Sequence, residues 1–183
     1  MAFKWVVALL FVAVCASTIS ADDEKDNLLY TIRNSASGMV LDAEDPKRIK
    51  VQYHTGYKTQ LFRFLRGRKP GLFHIVNNQT GGVLDFIKDE GKFQVVLTDK
   101  TDSLHQQWYL NADGRIVNAQ NQQVIDVLAY NSEHFPGNRV GLYRTVGARS
   151  QEFVLQRKGD YEKGSSEDTE YETSDSPDSI MKM

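Results

Sequence analysis

From Leu28 to Lys158, short apolar runs alternate with polar turn clusters, and no window holds a helical period. Tyr30-Thr31-Ile32-Arg33-Asn34 gives way to Ser35-Ala36-Ser37-Gly38, and Phe73-His74-Ile75-Val76-Asn77 gives way to Asn78-Gln79-Thr80-Gly81-Gly82. Runs rich in Val, Ile, Leu, Phe and Tyr, bounded by Gly, Asn, Asp and Ser, are the mark of strands joined by tight turns. In the last third of this region the runs fall at 115–118, 123–127, 139–143 and 152–156, which predicts four strands.

The pattern then repeats. The Tyr30–Asn34 run returns at Phe73–Asn77 and more weakly at Arg115-Ile116-Val117-Asn118. Each copy is followed by two apolar residues and an aspartate: Val40-Leu41-Asp42, Val83-Leu84-Asp85 and Val124-Ile125-Asp126, with the aspartates 43 and 41 residues apart. Later in each copy comes Gln-x-aromatic: Gln60-Leu61-Phe62, Gln106-Gln107-Trp108 and Gln151-Glu152-Phe153, with the glutamines 46 and 45 apart. An ordered pair of motifs at constant period means three copies of one structural unit. Three units of four strands predict an all-β fold of about twelve, and strands this short need closure to remove their open edges. The glutamines read as buried turn-holders, and Phe62, Trp108 and Phe153 as core.

These residues carry a resemblance. The threefold period, the Val/Leu-x-Asp early in each unit and the Gln-x-Trp/Phe late in it resemble the ricin B-type β-trefoil, over 28–158. The resemblance implies a six-stranded barrel capped by three hairpins, with up to three shallow sugar sites. In such a site the early aspartate accepts from sugar hydroxyls, an aromatic on the third strand stacks on the ring, and a polar residue before the glutamine assists. The third unit matches best, with Asp126, Tyr143 and Ser150. The first offers Asp42, His54 and Thr59. The second offers Asp85 and His105 but only Val96 where an aromatic is wanted. The asparagine usual before Gln-x-Trp is absent from all three, and a short polar residue after the second strand can equally fix a turn through its own backbone bonds.

Composition bounds the rest. The single cysteine, Cys15, lies in 1–21, where Lys4, the apolar run Trp5–Ala16 and the small-residue stretch ending at Ala21 read as a secretory signal. Cleavage near Asp22 leaves a cysteine-free chain, which excludes disulfide scaffolds, CxxC zinc sites and thiol nucleophiles. Residues 22–27 form a short acidic segment. The tail 159–183 carries eight acids and two bases, too much like charge and too little apolar surface to offset ordering, so it is expected to be disordered. The stretch 27–158 holds 18 bases and 12 acids, so a basic core carries an acidic tail.

That asymmetry gives further candidates. Arg63, Arg66, Arg68 and Lys69, with Lys47, Arg48 and Lys50 nearby in sequence, are positioned to bind sulfate or phosphate groups of a polyanion. Asn78-Gln79-Thr80 is an N-glycosylation sequon in a turn. Tyr161 and Tyr171, each beside acids, resemble tyrosine-sulfation sites, and Ser165-Ser166-Glu167 resembles a secretory-kinase site. His54, His74, His105 and His134 are scattered, with no HExxH or nucleophile elbow, so catalysis, a metal or a cofactor is not expected.

The expected molecule is a secreted, extracellular, monomeric and non-catalytic binding protein with no membrane span after processing. Its partner is a glycan or sulfated polyanion, or an extracellular protein or receptor, and not a nucleic acid. Two functions stay open. One is carbohydrate binding. The other is a protein-directed effector that uses the fold as scaffold, of the anticoagulant or vasodilator kind found in saliva and venom.

Overall fold

The computed structural model describes residues 28–128 and 134–160. The leader 1–21, the acidic segment 22–27 and the tail from 161 on, with Tyr161 and Tyr171, lie outside the described residues. No described helix is long and apolar enough to cross a membrane.

Among the described residues twelve strands appear where the apolar runs place them. They are β1 (Tyr30–Asn34), β2 (Val40–Asp42), β3 (Lys50–Gln52), β4 (Phe62–Arg66), β5 (Phe73–Asn77), β6 (Val83–Asp89), β7 (Lys92–Thr98), β8 (Trp108–Leu110), β9 (Ile116–Asn118), β10 (Val124–Val127), β11 (Val140–Tyr143) and β12 (Phe153–Arg157). All pair antiparallel within one sheet. Strands β1, β4, β5, β8, β9 and β12 make the barrel. Strand β12 lies along β1 from Tyr30↔Arg157 to Asn34↔Phe153, and β4 along β5 from Phe62↔Asn77 to Arg66↔Phe73. The pairs β1–β4, β5–β8 and β8–β9 carry the ring round. Between β9 and β12 the backbone completes it: Phe153 N–H donates to the Gly114 carbonyl at 2.8 Å. Gly114 has φ +75°, and a Cβ there would stand 2.8 Å from the Phe153 oxygen, so the closure requires glycine. Hairpins β2–β3, β6–β7 and β10–β11 form the cap.

The core follows the repeat. Ile32, Ile75 and Ile116 are equivalent and buried, as are Leu41, Leu84 and Ile125, and Phe62, Trp108 and Phe153. The core reading of the last three therefore holds. Trp108 also donates its indole N–H to the Leu84 carbonyl at 2.9 Å, satisfying its one polar group.

A second threefold set locks the units to one another. Asn34, Asn77 and Asn118 end β1, β5 and β9, and all are fully buried. The side-chain oxygen of each accepts backbone N–H groups of the turn that follows, from Ser37, Gln79 and Gln120. Each amide nitrogen donates backwards, to the carbonyl of Ser150, Thr59 and His105 at 2.8–2.9 Å. Every unit thus clamps the one before it, and the first clamps the third.

Candidate functional site

In each unit the early aspartate and the late glutamine meet. Single 3-10 turns at Lys58–Gln60, Leu104–Gln106 and Arg149–Gln151 bury the glutamines. Gln60 donates to Asp42 Oδ2 and to the Tyr53 carbonyl, both at 2.9 Å, and accepts from Thr55 N–H. Gln151 does the same with Asp126 Oδ2 at 3.0 Å, the Arg144 carbonyl and Val146 N–H. Gln106 bonds Asp85 Oδ2 at 3.1 Å, the Thr98 hydroxyl, the Asp99 carbonyl and Thr101 N–H. The glutamines are turn-holders, and the aspartates are half of the same device.

What distinguishes the units is the second carboxylate oxygen. Asp42 Oδ1 accepts from Glu44 N–H at 2.9 Å, and Asp85 Oδ1 from Phe86 N–H at 2.7 Å. Asp85 Oδ2 also takes the Thr98 hydroxyl at 2.8 Å. Asp126 bonds only through Oδ2 among the described residues, which leaves Oδ1 to accept from a ligand.

Asp126 lines a surface hollow of about 450 Å³. The third unit supplies Asp126, Tyr143 and Ser150, so all three sequence-derived candidates line one depression. His134 and Arg149 line it too, and Ala36 of the first unit closes its far side. Tyr143 is 49% exposed, which leaves its ring available as a platform. The His134 Nδ1 is buried without a partner among the described residues. Arg149 donates to the Ser35 carbonyl at 3.2 Å, fixing it at the seam between the third and first units. The sequence reading missed both: His134 as one of four dispersed histidines, and Arg149 although it adjoins Ser150.

The first unit is arranged differently. Its Asp42 is 6% exposed. Strand register puts Tyr143 opposite Val124, two residues before its aspartate, and the counterparts are Gln52 opposite Val40 and Thr98 opposite Val83. His54 therefore lies beyond the platform position. It lines a separate hollow with Thr31 and Gln156. Burial, and then the Arg33 charge, push its pKa below the ordinary histidine value. In the second unit the platform position is Thr98 rather than Val96. Phe86 packs on His105 with ring centroids 4.6 Å apart and edge-on to Phe93 at 5.3 Å.

The basic residues fall in two stretches of the fold. Arg63 and Arg66 lie on β4, with Arg68 and Lys69 in the turn to β5. Arg63 Nε is buried without a hydrogen-bond partner among the described residues, and the Arg68 backbone N–H donates to Gln107 Oε1 at 3.0 Å. Lys50 is in the cap, paired with Glu44 at 2.7 Å, and Lys47 and Arg48 precede it in the β2–β3 loop. Asn78 is half-buried in the β5–β6 turn, its N–H donating to the Leu61 carbonyl. No described cluster of His, Cys, Asp or Glu is grouped to hold a metal.

Comparison with known proteins agrees with this geometry. The family model for the ricin-type beta-trefoil lectin domain-like group matches residues 58–143. No curated protein matches the chain in sequence. Among solved structures, the designed 3-fold symmetric protein ThreeFoil is 22% identical with TM-score 0.61, the match covering 69% of this chain and 96% of that one. The Macrolepiota procera ricin B-like lectin, solved with lactose, is 21% identical with TM-score 0.60, covering 70% and 94%. The exo-beta-1,3-galactanase from Clostridium thermocellum is 22% identical with TM-score 0.63, covering 72% of this chain and only 30% of the enzyme. Repeat and strand pairing, with these structural neighbours, converge on one fold: the chain is a β-trefoil, whose residues 58–143 match the ricin-type beta-trefoil lectin domain-like family.

Proposed function

We propose that the chain is a secreted, non-catalytic carbohydrate-binding protein whose sugar sits in the third-unit hollow. The observation that carries this reading is the convergence of Asp126, Tyr143 and Ser150 on one depression, with one Asp126 oxygen left over after the turn is made. A pyranose has a fairly apolar face that suits the Tyr143 ring. Its vicinal hydroxyls suit Asp126 Oδ1 and the Ser150 hydroxyl. The lactose-bound neighbour supports a glycan as ligand class. The first and second units, with both aspartate oxygens engaged, serve as structure. The sequon at Asn78 lies in a turn, which supports glycosylation there and hence passage through the secretory route. Processing near Asp22 and a monomeric state complete the proposal.

A glycan array that includes sulfated polymers tests it. The native chain should bind a defined set of glycans, and Tyr143→Ala and Asp126→Asn should each lose most of that signal. Full binding by the Asp126→Asn/Tyr143→Ala double variant, with an unchanged circular dichroism spectrum, would refute the site. An array silent for the native chain would transfer the reading to a protein-directed effector.

A further inference from the structure

The third-unit hollow holds two unlike charges that do not neutralise one another. Asp126 and Arg149 both line it, and neither forms an ion pair with the other or with any further described residue. The Asp126 carboxylate is tied through Oδ2 to the Gln151 amide. The Arg149 guanidinium donates to the neutral Ser35 carbonyl at 3.2 Å. A guanidinium has five N–H donors in one plane, so a bond to one carbonyl leaves its charge and most of its fork unused.

We propose, resting on the sugar site proposed for this hollow, that its ligand is an acidic sugar, a pyranose bearing a carboxylate or sulfate group. Arg149 takes the anionic group, and Asp126 takes ring hydroxyls. Because the two charged groups are not in contact, one ring can span them in this order, and the reverse order would set like charges together. The planar fork of arginine meets two oxygens of a carboxylate or sulfate in parallel bonds, which a lysine ammonium cannot do.

The guanidinium is held before any ligand arrives. Ser35 N–H donates to the Glu152 carbonyl and the Asn34 amide to the Ser150 carbonyl, both at 2.9 Å, so the stretch that restrains Arg149 is fastened to the stretch that carries it. A side chain restrained at a seam between two units has already given up rotamer freedom, and less is lost on binding. The other units lack the arrangement. Arg149 opens its 3-10 turn, and the corresponding residues are Leu104 in the second unit and Lys58 in the first. Leu104 offers no charge, and Lys58 belongs to a unit whose aspartate has both oxygens engaged.

An array of matched glycans tests this on the full chain, with each neutral oligosaccharide printed beside its O-sulfated and its uronate-containing counterpart. The native chain should bind acidic members about tenfold more tightly than their neutral counterparts, and raised salt should shrink the margin. A margin confined to the sulfated or to the uronate members names the oxyanion. Arg149→Gln should bring acidic and neutral members to equal signal, and Arg149→Lys should keep part of the margin. Equal binding of both kinds by the native chain, or a margin that survives Arg149→Gln, would overturn the acidic ligand and leave the sugar site standing. Signal of both kinds kept by the Asp126→Asn/Tyr143→Ala double variant would remove the site itself and this inference with it, as would an array silent for the native chain.

Discussion

The second and third units share a backbone plan and spend it differently. In both, a buried glutamine ties the late turn to an early aspartate. In the second unit the residue after the aspartate is Phe86 and the residue before the glutamine is His105, and the two rings stack. The third unit has Val127 and Ser150 at these places, and a hollow remains. Asp85 has both oxygens bonded within the fold, and among the described residues Asp126 bonds through one. Two side chains flanking the aspartate–glutamine pair therefore decide whether a hollow remains beside it, which the proposed function uses for recognition, while the pair itself serves the fold in either case.

The largest effect should come from giving the second unit the third unit's residues. Phe86→Val with His105→Ser should cost about 3 kcal/mol by urea denaturation, because Phe86 is 7% exposed and the space will not refill. It should gain no glycan binding, since Asp85 stays saturated. New binding would mean that space alone makes a site. Next come the glutamines. Gln106→Ala removes four hydrogen bonds and Gln151→Ala three, so losses of about 3 and about 2 kcal/mol are expected in that order. The reverse order would show that the third-unit pair bears more of the fold.

Much of this was legible in the chain. The spacing of the aspartates and of the glutamines marked three units, and the third unit's strands fell within a residue of their expected ends. The platform was harder. Counting along the chain put it at His54 and Val96, but the hairpins between the paired strands differ in length. Antiparallel pairing counts outward from the turn, so the position opposite the residue two before the aspartate follows at a different distance in each unit. Arg149, His134 and Ala36 come to the hollow from separate stretches, and no local pattern announces that meeting. The asparagines at 34, 77 and 118 were visible as a repeat, but that each reaches into the previous unit is a fact of closure.

A smaller effect isolates recognition from stability. Tyr143→Ala should weaken glycan binding by ~1 kcal/mol, about fivefold, while leaving the urea midpoint within error, because the ring is half exposed. A matching loss of stability would assign Tyr143 to packing. The smallest effect is acid sensitivity. His74 and Arg115 occupy equivalent buried positions on β5 and before β9. Burial, then the Lys100 charge, hold the His74 pKa below 6.5, whereas Arg115 is paired with Asp113 at 2.8 Å and Glu152 at 3.3 Å. Above pH 6.5 His74 is neutral in both states and contributes no slope; below it the unfolded chain takes up a proton that the folded chain resists, so stability falls as pH falls. Thermal melts at about pH 7 and about pH 5 should show that decline reduced in His74→Thr. An unchanged decline would place the acid response elsewhere.

The seam between β1 and β12 has a consequence in time. The first strand finds its five-residue partner only in the last one, more than a hundred residues downstream. While the chain is being made, β1 can rest on β2 and β4 through single pairs only, and the clamp from Asn34 to Ser150 has nothing to hold. Pairing at such sequence separation carries a loop-closure cost that no early contact offsets, and folds dominated by it form slowly. The barrel is therefore assembled after synthesis rather than during it. Until then its apolar strand edges are exposed together, and edges of that kind are prone to aggregate.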